Sequence, residues 1–264
     1  MKVFIKTKKR VFGNLIGRYV STFKGNGLEF KEFREYTPFD DAKRIDWKIS
    51  AKVNKPLVKE FNEERELRII LAVLKSGSLY FGSNRLKIEL ISEIINFLGI
   101  LAIRYDNKVQ SIFLGNKNKF FKPTKTYKGV YAFAKYALTT NYLKEDYKEI
   151  EFLNKFKKSI LFLIGDFYKP INFHKLKHET YIINVRDRFE ENPTFKGDVE
   201  IIDSITLNNL NINFNKHSIK KISSFIQKID NELILKCKKY KIPYTKIYTN
   251  EDFVFKLVEL LKWI

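Results

Sequence analysis

The chain has 264 residues, 44% of them hydrophobic and 15% aromatic, which suits one sizeable α/β domain with a buried core. Its 50 Lys and Arg outnumber its 30 Asp and Glu, but ten of these cations are arginine and all are scattered, which argues against an arginine-rich nucleic-acid-binding stripe. The single cysteine excludes an intrachain disulfide, and no segment has the length of a membrane span or the pattern of a signal peptide, so we expect a cytoplasmic protein.

Residues 25–65 combine turn residues with closely spaced opposite charges. Asp40 or Asp41 is a suitable N-cap for a short helix over Ala42–Ala51. Arg34 and Glu35 are adjacent, so we expect them to satisfy each other locally. From the residues alone, this segment is an irregular one held by ion pairs.

After this segment, apolar runs alternate with amphipathic stretches. Runs typical of strands buried on both faces lie at Leu67–Leu74, Lys108–Leu114, Ser159–Ile164, Tyr181–Val185 and Tyr244–Tyr248. Helical spacing of apolar residues is found at Arg85–Asp106, Val130–Thr139, Lys216–Lys241 and Asp252–Trp263. Strands that alternate with helices of this length predict a doubly wound, mostly parallel α/β sheet.

The first segment also carries a long ordered set of residues that matches a family signature. The matching positions are Gly25, Gly27, Glu29, Phe30, Arg34, Glu35, Tyr36, Pro38, Asp40, Asp41, Arg44, Ile45, Asp46, Trp47, Ser50, Ala51, Val58, Lys59, Glu60, Phe61, Glu64 and Arg65. In this order they resemble the bacterial domain-of-unknown-function family numbered 58, whose members usually accompany MoxR-type AAA ATPases. Phe39 departs from the family's glycine, and Lys43 and Lys52 depart from its arginines.

The resemblance implies both an organisation and a role. It implies a signature extension over residues 1–65 that packs on the sheet, followed by a von Willebrand factor A-like domain over 66–264. We expect the large ring of Trp47 to be buried in this arrangement. The implied role is that of a non-enzymatic adaptor that binds a MoxR-type ATPase and protein clients.

In von Willebrand A domains, the loop after the first strand carries Asp-x-Ser-x-Ser, part of a magnesium site. Aligned by its strand, this chain keeps both serines, Ser76 and Ser78, but has Leu74 in place of the carboxylate and Lys75 beside it. The family's second carboxylate is retained as Asp166, after another predicted strand. We therefore expect a degenerate site, because one carboxylate is lost and an ammonium is added.

The consequences for cofactors follow from this degenerate site. The family's threonine ligand has a counterpart only in Thr124 or Thr126, neither of which stands in a recognisable motif. We expect no cofactor, with weak Mg²⁺ binding at most. Either Lys75 or water fills the ion's place and pairs with Asp166, or Asp166 simply caps the segment that follows it.

The densest basic segment with aromatic residues is Lys117–Lys128, which interleaves five lysines with Phe120, Phe121 and Tyr127. Such a pattern suits stacking on single-stranded nucleic acid. A sheet edge protected by lysines explains it equally well. The net charge of +20 keeps two alternatives open, a basic nucleic-acid-binding protein and peripheral contact with a membrane surface, of which nucleic acid is less favoured than a protein partner.

The remaining candidate constellations are weak. His174 and His178 are four residues apart, but flanking lysines favour a solvated surface pair over a metal pair. Val185–Glu190 resembles a family Arg-Asp-Pro-x-Glu element, and there Asp187 and Arg188 are expected to form a loop ion pair. A metal-dependent enzyme that combines Asp166 with the signature's aspartates remains a rival to the adaptor.

Overall fold

The computed structural model describes residues 29–62, 67–147, 149–204 and 206–262, which form two compact units separated at residue 66. The signature residues Gly25, Gly27, Glu64 and Arg65 lie outside the described residues, as do residues 1–28 of the extension predicted over 1–65.

The first unit is a hairpin with a helical connection. Strand β1 (Glu29–Glu35) pairs antiparallel with β2 (Leu57–Asn62). Between them lie a single 3₁₀ turn, Ala42–Arg44, and helix α1 (Trp47–Val53).

The prediction of one continuous helix over Ala42–Ala51 is therefore wrong. Ile45 has an extended conformation and forms a bridge to Val58, which ends the 3₁₀ turn. Asp46 then starts α1, because its side chain accepts hydrogen bonds from two free amides at the helix N-terminus. A second aspartate cap inside the predicted helix thus divides it into two pieces.

The second unit is built on a six-stranded sheet. Its strands are β3 (Arg68–Leu74), β4 (Lys108–Leu114), β5 (Lys119–Phe120), β6 (Ile160–Gly165), β7 (Glu179–Arg186) and β10 (Tyr244–Tyr248). They lie in the order β5-β4-β3-β6-β7-β10, and all pairs are parallel except that of β5 with β4. The chain winds outward in both directions from β3, so the predicted mostly parallel α/β sheet is confirmed.

Helices and one further hairpin complete this unit. The helices are α2 (Lys87–Arg104), α3 (Tyr127–Thr139), α4 (Arg188–Glu191), α5 (Lys216–Lys239) and α6 (Phe253–Leu261). The hairpin pairs β8 (Gly197–Ile202) with β9 (Asn209–Phe214). Short 3₁₀ helices occupy Gly77–Tyr80, Ile150–Lys155 and Phe173–Lys175. Among the described helices, none has the length and apolar character required to cross a bilayer.

The sheet is buried on both faces, which explains its continuous apolar runs. In β3, Ile69, Leu71 and Val73 face a core shared with α2, α3 and α6. The alternate residues of β3 face a second core, to which Leu233 and Cys237 of α5 contribute. Because the helices cover both faces of the sheet, the connecting loops lie at the amino and carboxyl ends of the strands. Ligands of open α/β sheets bind at the carboxyl ends, here called the carboxyl edge.

Candidate functional site

The charged residues of the signature are bound to one another inside the first unit. Arg34 donates two hydrogen bonds to Asp40, at 2.9 and 2.7 Å. It also donates to the main-chain carbonyl of Glu35 at 3.3 Å, but the predicted pairing of the two charges is wrong. Asp40 also accepts from the amide and hydroxyl of Thr37, at 2.8 and 2.7 Å. The guanidinium of Arg34, followed by the bonds from Thr37, holds the pKa of Asp40 well below its ordinary value.

Two further ion pairs cross this unit. Glu35 pairs with Lys55 at 2.5 Å, and Asp46 pairs with Lys59 at 2.5 Å while it caps α1. Trp47 is 69% exposed, so its expected burial is wrong. Five signature charges therefore brace a turn, a helix start and a hairpin: Arg34, Glu35, Asp40, Asp46 and Lys59.

Several of the remaining described signature residues form local hydrogen bonds or face solvent. Asp41 caps the 3₁₀ turn, accepting from the amide of Lys43 at 3.0 Å. The amide of Tyr36 donates to the carbonyl of Pro56 at 2.9 Å. Pro38 and Arg44 are exposed, and Glu60 lies in β2.

In the second unit, the carboxyl edge of the sheet brings together three residues singled out in the sequence. Ser76 and Ser78 follow β3, and Asp166 follows β6, the neighbouring strand. The two serine hydroxyl oxygens lie 2.5 Å apart, and the hydroxyl of Ser78 donates to Oδ2 of Asp166. These strands flank the point where the sheet winds in opposite directions, which is the usual ligand crevice of such a sheet.

Lys87, which the sequence reasoning missed, completes this cluster. Its side chain is 1% exposed and its ammonium donates to Oδ2 of Asp166 at 3.0 Å and to Oε1 of Glu190 at 2.5 Å. Lys75, the predicted partner of Asp166, pairs instead with Glu145 at 2.8 Å. The predicted pairing of Lys75 with Asp166 is therefore wrong, because Lys87 of α2 pairs with Asp166 instead.

The protonation states of this cluster follow from opposing effects. Burial by itself raises the pKa of Asp166, but the ammonium of Lys87, the hydroxyl of Ser78 and the guanidinium of Arg186 outweigh it, so the pKa lies below its ordinary value. Burial likewise opposes the charge of Lys87, but Asp166 and Glu190 outweigh it and raise the pKa of the ammonium. Both groups are therefore charged at neutral pH.

This donor set does not fit a divalent metal ion. Magnesium requires about six oxygen ligands in a near-octahedral array. Here Oδ1 of Asp166 accepts no hydrogen bond from the described residues, but Oδ2 of the same carboxylate is already bound by Lys87 and Ser78. Across the described ranges, no group of three His, Cys, Asp or Glu side chains has an arrangement that could hold a metal ion.

The predicted threonine counterparts lie elsewhere in the fold. Thr124 forms backbone bonds with Val109, near the amino end of β4, and its hydroxyl lies 2.9 Å from that of Thr126. The carboxyl edge holds Ser76 and Asp166, so neither threonine can complete the predicted ligand set. Topology thus removes the third element of the expected magnesium site.

A second buried network continues from the first along the carboxyl edge. Arg186, at the end of β7, pairs with Asp230 of α5 at 2.5 Å, and Asp230 also pairs with Lys246 at 2.8 Å. Lys246 in turn binds Glu191 at 2.7 Å. Because Glu190 and Glu191 are neighbours in α4, this single helical turn joins both networks.

Asp187 fixes the start of that turn. It caps α4 and accepts hydrogen bonds from the amide and hydroxyl of Ser83, at 2.9 and 3.0 Å, and from the hydroxyl of Thr249. Arg188 pairs instead with Glu251 at 2.6 Å, so the predicted loop ion pair between Asp187 and Arg188 is wrong. Burial raises the pKa of Asp187, but these hydrogen bonds prevail and lower it.

The predicted surface pair of histidines is also wrong for His178. Its ring is buried, and its Nε2 lies 2.8 Å from the carbonyl oxygen of Leu153. Burial lowers the pKa of His178 by penalising the charged imidazolium. The side chain of His174 lies outside the described residues.

A cleft of about 720 Å³ opens beside Ser78 and Glu190. It lies between the loop after β3 and the hairpin of β8 and β9. Five large apolar side chains that line it are each at least 39% exposed: Phe81, Leu143, Ile202, Leu207 and Leu210. The carboxyl edge thus combines a closed ionic cluster with an open apolar surface.

Comparisons with known proteins place these features in context. A family model described as "Protein of unknown function DUF58" matches residues 32–228. Over 79 residues the chain is 37% identical to the uncharacterized proteins Rv1480 of Mycobacterium tuberculosis and Mb1516 of Mycobacterium bovis. The match covers 30% of this chain and 25% of those proteins, so the chain spans about a quarter of their length.

Solved structures give weaker similarities. The conserved hypothetical protein BatB from Bacteroides thetaiotaomicron aligns with a TM-score of 0.45 and 12% identity, covering 75% of this chain and 97% of BatB. An aerotolerance-related membrane protein from Bacteroides fragilis aligns with a TM-score of 0.38 and 11% identity, covering 75% of this chain and 100% of that protein.

Proposed function

The chain belongs to the family described as protein of unknown function DUF58, and we propose that it is a non-enzymatic protein-binding module with a von Willebrand factor A-like second unit. Three observations support the A-like assignment. The sheet is doubly wound from β3. Ser76 and Ser78 follow its first strand, and Asp166 follows the adjacent one.

The contact of Lys87 with Asp166 is the single observation that carries this proposal. An A-like domain that uses a metal ion needs open carboxylate oxygens at this point. Here a buried ammonium from α2 binds the carboxylate oxygen that an ion would need, and the same ammonium also pairs with Glu190. This ionic cluster holds the loops of the carboxyl edge in place, and a partner protein binds at that edge without a metal ion.

The surface that such a module offers is the apolar cleft at the same edge. Contiguous exposed apolar patches mark protein–protein interaction sites or ligand-binding grooves. Ile202 is 61% exposed and Leu210 is 48% exposed in the β8–β9 hairpin, while Phe81 lies on the opposite side of the cleft. An apolar segment of a partner protein would bury these side chains.

The proposed partner is a MoxR-type AAA ATPase, with protein clients delivered to it. The choice of this partner depends on the family resemblance of the signature. The apolar cleft adds a surface to which a partner protein can bind. The rival role as a metal-dependent enzyme is less favoured because Asp40, Asp41 and Asp46 are each engaged in local bonds. Turnover of a substrate that requires Mg²⁺ would reverse that preference.

The test is a binding titration between the purified full chain and a MoxR-type ATPase of the same organism, nucleotide-free and in EDTA. Ile202→Asp and Leu210→Asp place a charge in the cleft and are expected to weaken binding by tenfold or more, about 1.4 kcal/mol. Phe255→Asp is the matched control, because Phe255 is 69% exposed on α6 and does not line the cleft.

The same titration separates the cleft from the signature as the recognition surface. Arg44→Glu reverses an exposed charge of the signature and is expected to leave affinity unchanged. Loss of binding confined to Arg44→Glu would move the binding surface to the first unit. No binding of the wild-type chain, or binding that depends on Mg²⁺, would overturn the proposal.

A further inference from the structure

A second cleft, of about 480 Å³, lies at the amino edge of the sheet, opposite the proposed protein-binding face. Arg68 and Lys108 stand at the starts of β3 and β4, Lys155 ends the 3₁₀ helix Ile150–Lys155, and Lys122 and Lys157 come from adjacent loops. Among the described residues that line it, none is acidic. The cations among these described lining residues create a positive potential that attracts an anionic ligand.

Aromatic rings are interleaved with these cations. Phe120, in the short edge strand β5, is 57% exposed and packs edge-on against Phe156, with ring centroids 6.2 Å apart. Phe121 also lines the cleft and packs against Phe133. An exposed ring held in place by a second ring offers a free face for stacking of a planar group.

A buried amide supplies an independent sign of a ligand. Gln110 lines the cleft and is 8% exposed, yet its Nε2 has no hydrogen-bond partner among the described residues. Buried polar groups in proteins are hydrogen-bonded in the great majority of cases. Its Nε2 has almost no exposed surface, so an acceptor from outside the chain reaches this unused donor after a shift of the cleft lining.

We propose that this cleft binds single-stranded nucleic acid, with a base stacked on Phe120, the amide of Gln110 donating to that base, and Arg68, Lys122 and Lys155 contacting phosphates. The chemistry distinguishes this ligand from others. A polyanion without rings would leave Phe120 exposed, and a duplex keeps its bases stacked inside the helix. The predicted lysine-protected edge is also present, since β5 pairs antiparallel at the edge of the sheet. The binding site uses that edge.

The test uses the full chain and a fluorescein-labelled twelve-nucleotide oligouridylate, followed by fluorescence anisotropy at several salt concentrations. Phe120→Ala and Gln110→Leu are each expected to weaken binding about tenfold. The double variant Lys122→Ser/Lys155→Ser is expected to reduce the slope of log affinity against log salt by about 1.4, since each phosphate contact on a single strand contributes about 0.7.

The high net charge of the chain requires matched controls. Lys220→Ser/Lys221→Ser removes two exposed charges from α5, and Phe255→Ala removes an exposed ring from α6; both are expected to bind as the wild type does. Equal weakening by the two lysine pairs would reduce the effect to net charge and overturn the proposal. Unchanged affinity of Phe120→Ala, or competition by heparin or duplex RNA as strong as by the single strand, would also overturn it.

Discussion

Replacing Lys87 with methionine tests the reasoning about the carboxyl edge most directly. Methionine keeps the apolar stem within α2 and removes the ammonium. The side chains of Lys87 and Asp166 are each 1% exposed, so water cannot replace the lost partner without rearrangement. Removing one member of a buried ion pair typically destabilises a protein by about 3–5 kcal/mol.

The expected loss is measurable by urea unfolding at pH 7.5. With an m-value of about 3 kcal/mol per molar urea, the midpoint should fall by about 1–2 M. Lys256→Met is the control, because Lys256 pairs with Glu251 at 2.6 Å but is 33% exposed. A pair that is open to solvent should contribute no more than about 1 kcal/mol.

The pH dependence gives the reasoning a second readout. In the wild type, Lys87 and its neighbours hold the pKa of Asp166 low against the effect of burial. Without the ammonium, burial should raise that pKa above its unfolded value near 3.9, so the folded variant binds the proton more tightly than the unfolded chain. The difference in stability between wild type and Lys87→Met should therefore be largest at neutral pH and shrink as the pH falls toward 4.5.

A double variant identifies the carboxylate responsible. Lys87→Met/Asp166→Asn removes both buried charges and should be more stable than Lys87→Met alone. Two outcomes would refute the reasoning. One is a loss for Lys87→Met no greater than that for Lys256→Met, and the other is a loss that stays constant from pH 7.5 to 4.5.

Three other predictions concern metal, pH and the thiol. Millimolar Mg²⁺ or Mn²⁺ should stabilise the chain by less than about 0.5 kcal/mol; a rise of several degrees in melting temperature that Asp166→Ala abolishes would contradict this. The pKa of His178 is lowered in the folded state, so the stability that it contributes is present above its unfolded pKa near 6.5 and is lost as pH falls through the folded value. His178→Asn should therefore make the urea midpoint depend less on pH between pH 7 and 5. Burial raises the pKa of the Cys237 thiol to about 12, so Ellman's reagent at pH 8 should react with it only on unfolding, and rapid labelling of the native chain would contradict its burial.

Much of the fold could be predicted from local patterns. The predicted bounds of Lys108–Leu114 and Tyr244–Tyr248 are those of β4 and β10, and other strand bounds differ by one or two residues. A strand covered on both faces must be apolar throughout, so it can be recognised from a run of consecutive apolar residues. The break in the helix over Ala42–Ala51 was missed because two aspartate caps compete within a few residues.

The composition of the carboxyl-edge cluster could be predicted only in part. The serine loop and Asp166 were identified because they follow predicted strands and match a family pattern. The sequence does carry a local signal for Lys87. It stands four residues before Ile91 on the same face of α2, so an apolar side chain is expected at the position of Lys87. A lysine on the buried face of a helix requires an acidic partner inside the fold.

The sequence by itself determined the alternation of strands and helices, the family signature and the presence of Leu74 where an A-like loop would carry its first carboxylate. The tertiary structure decided which charges meet. Lys87 and Asp166 are 79 residues apart, and Arg186 and Asp230 are 44 apart. Sequence spacing defines contacts within an element, whereas the strand order brings the loops of distant strands to one edge. At that edge burial strengthens the interaction of charges, so the order of the sheet selected a lysine of α2 over the adjacent Lys75 as the counterion of Asp166.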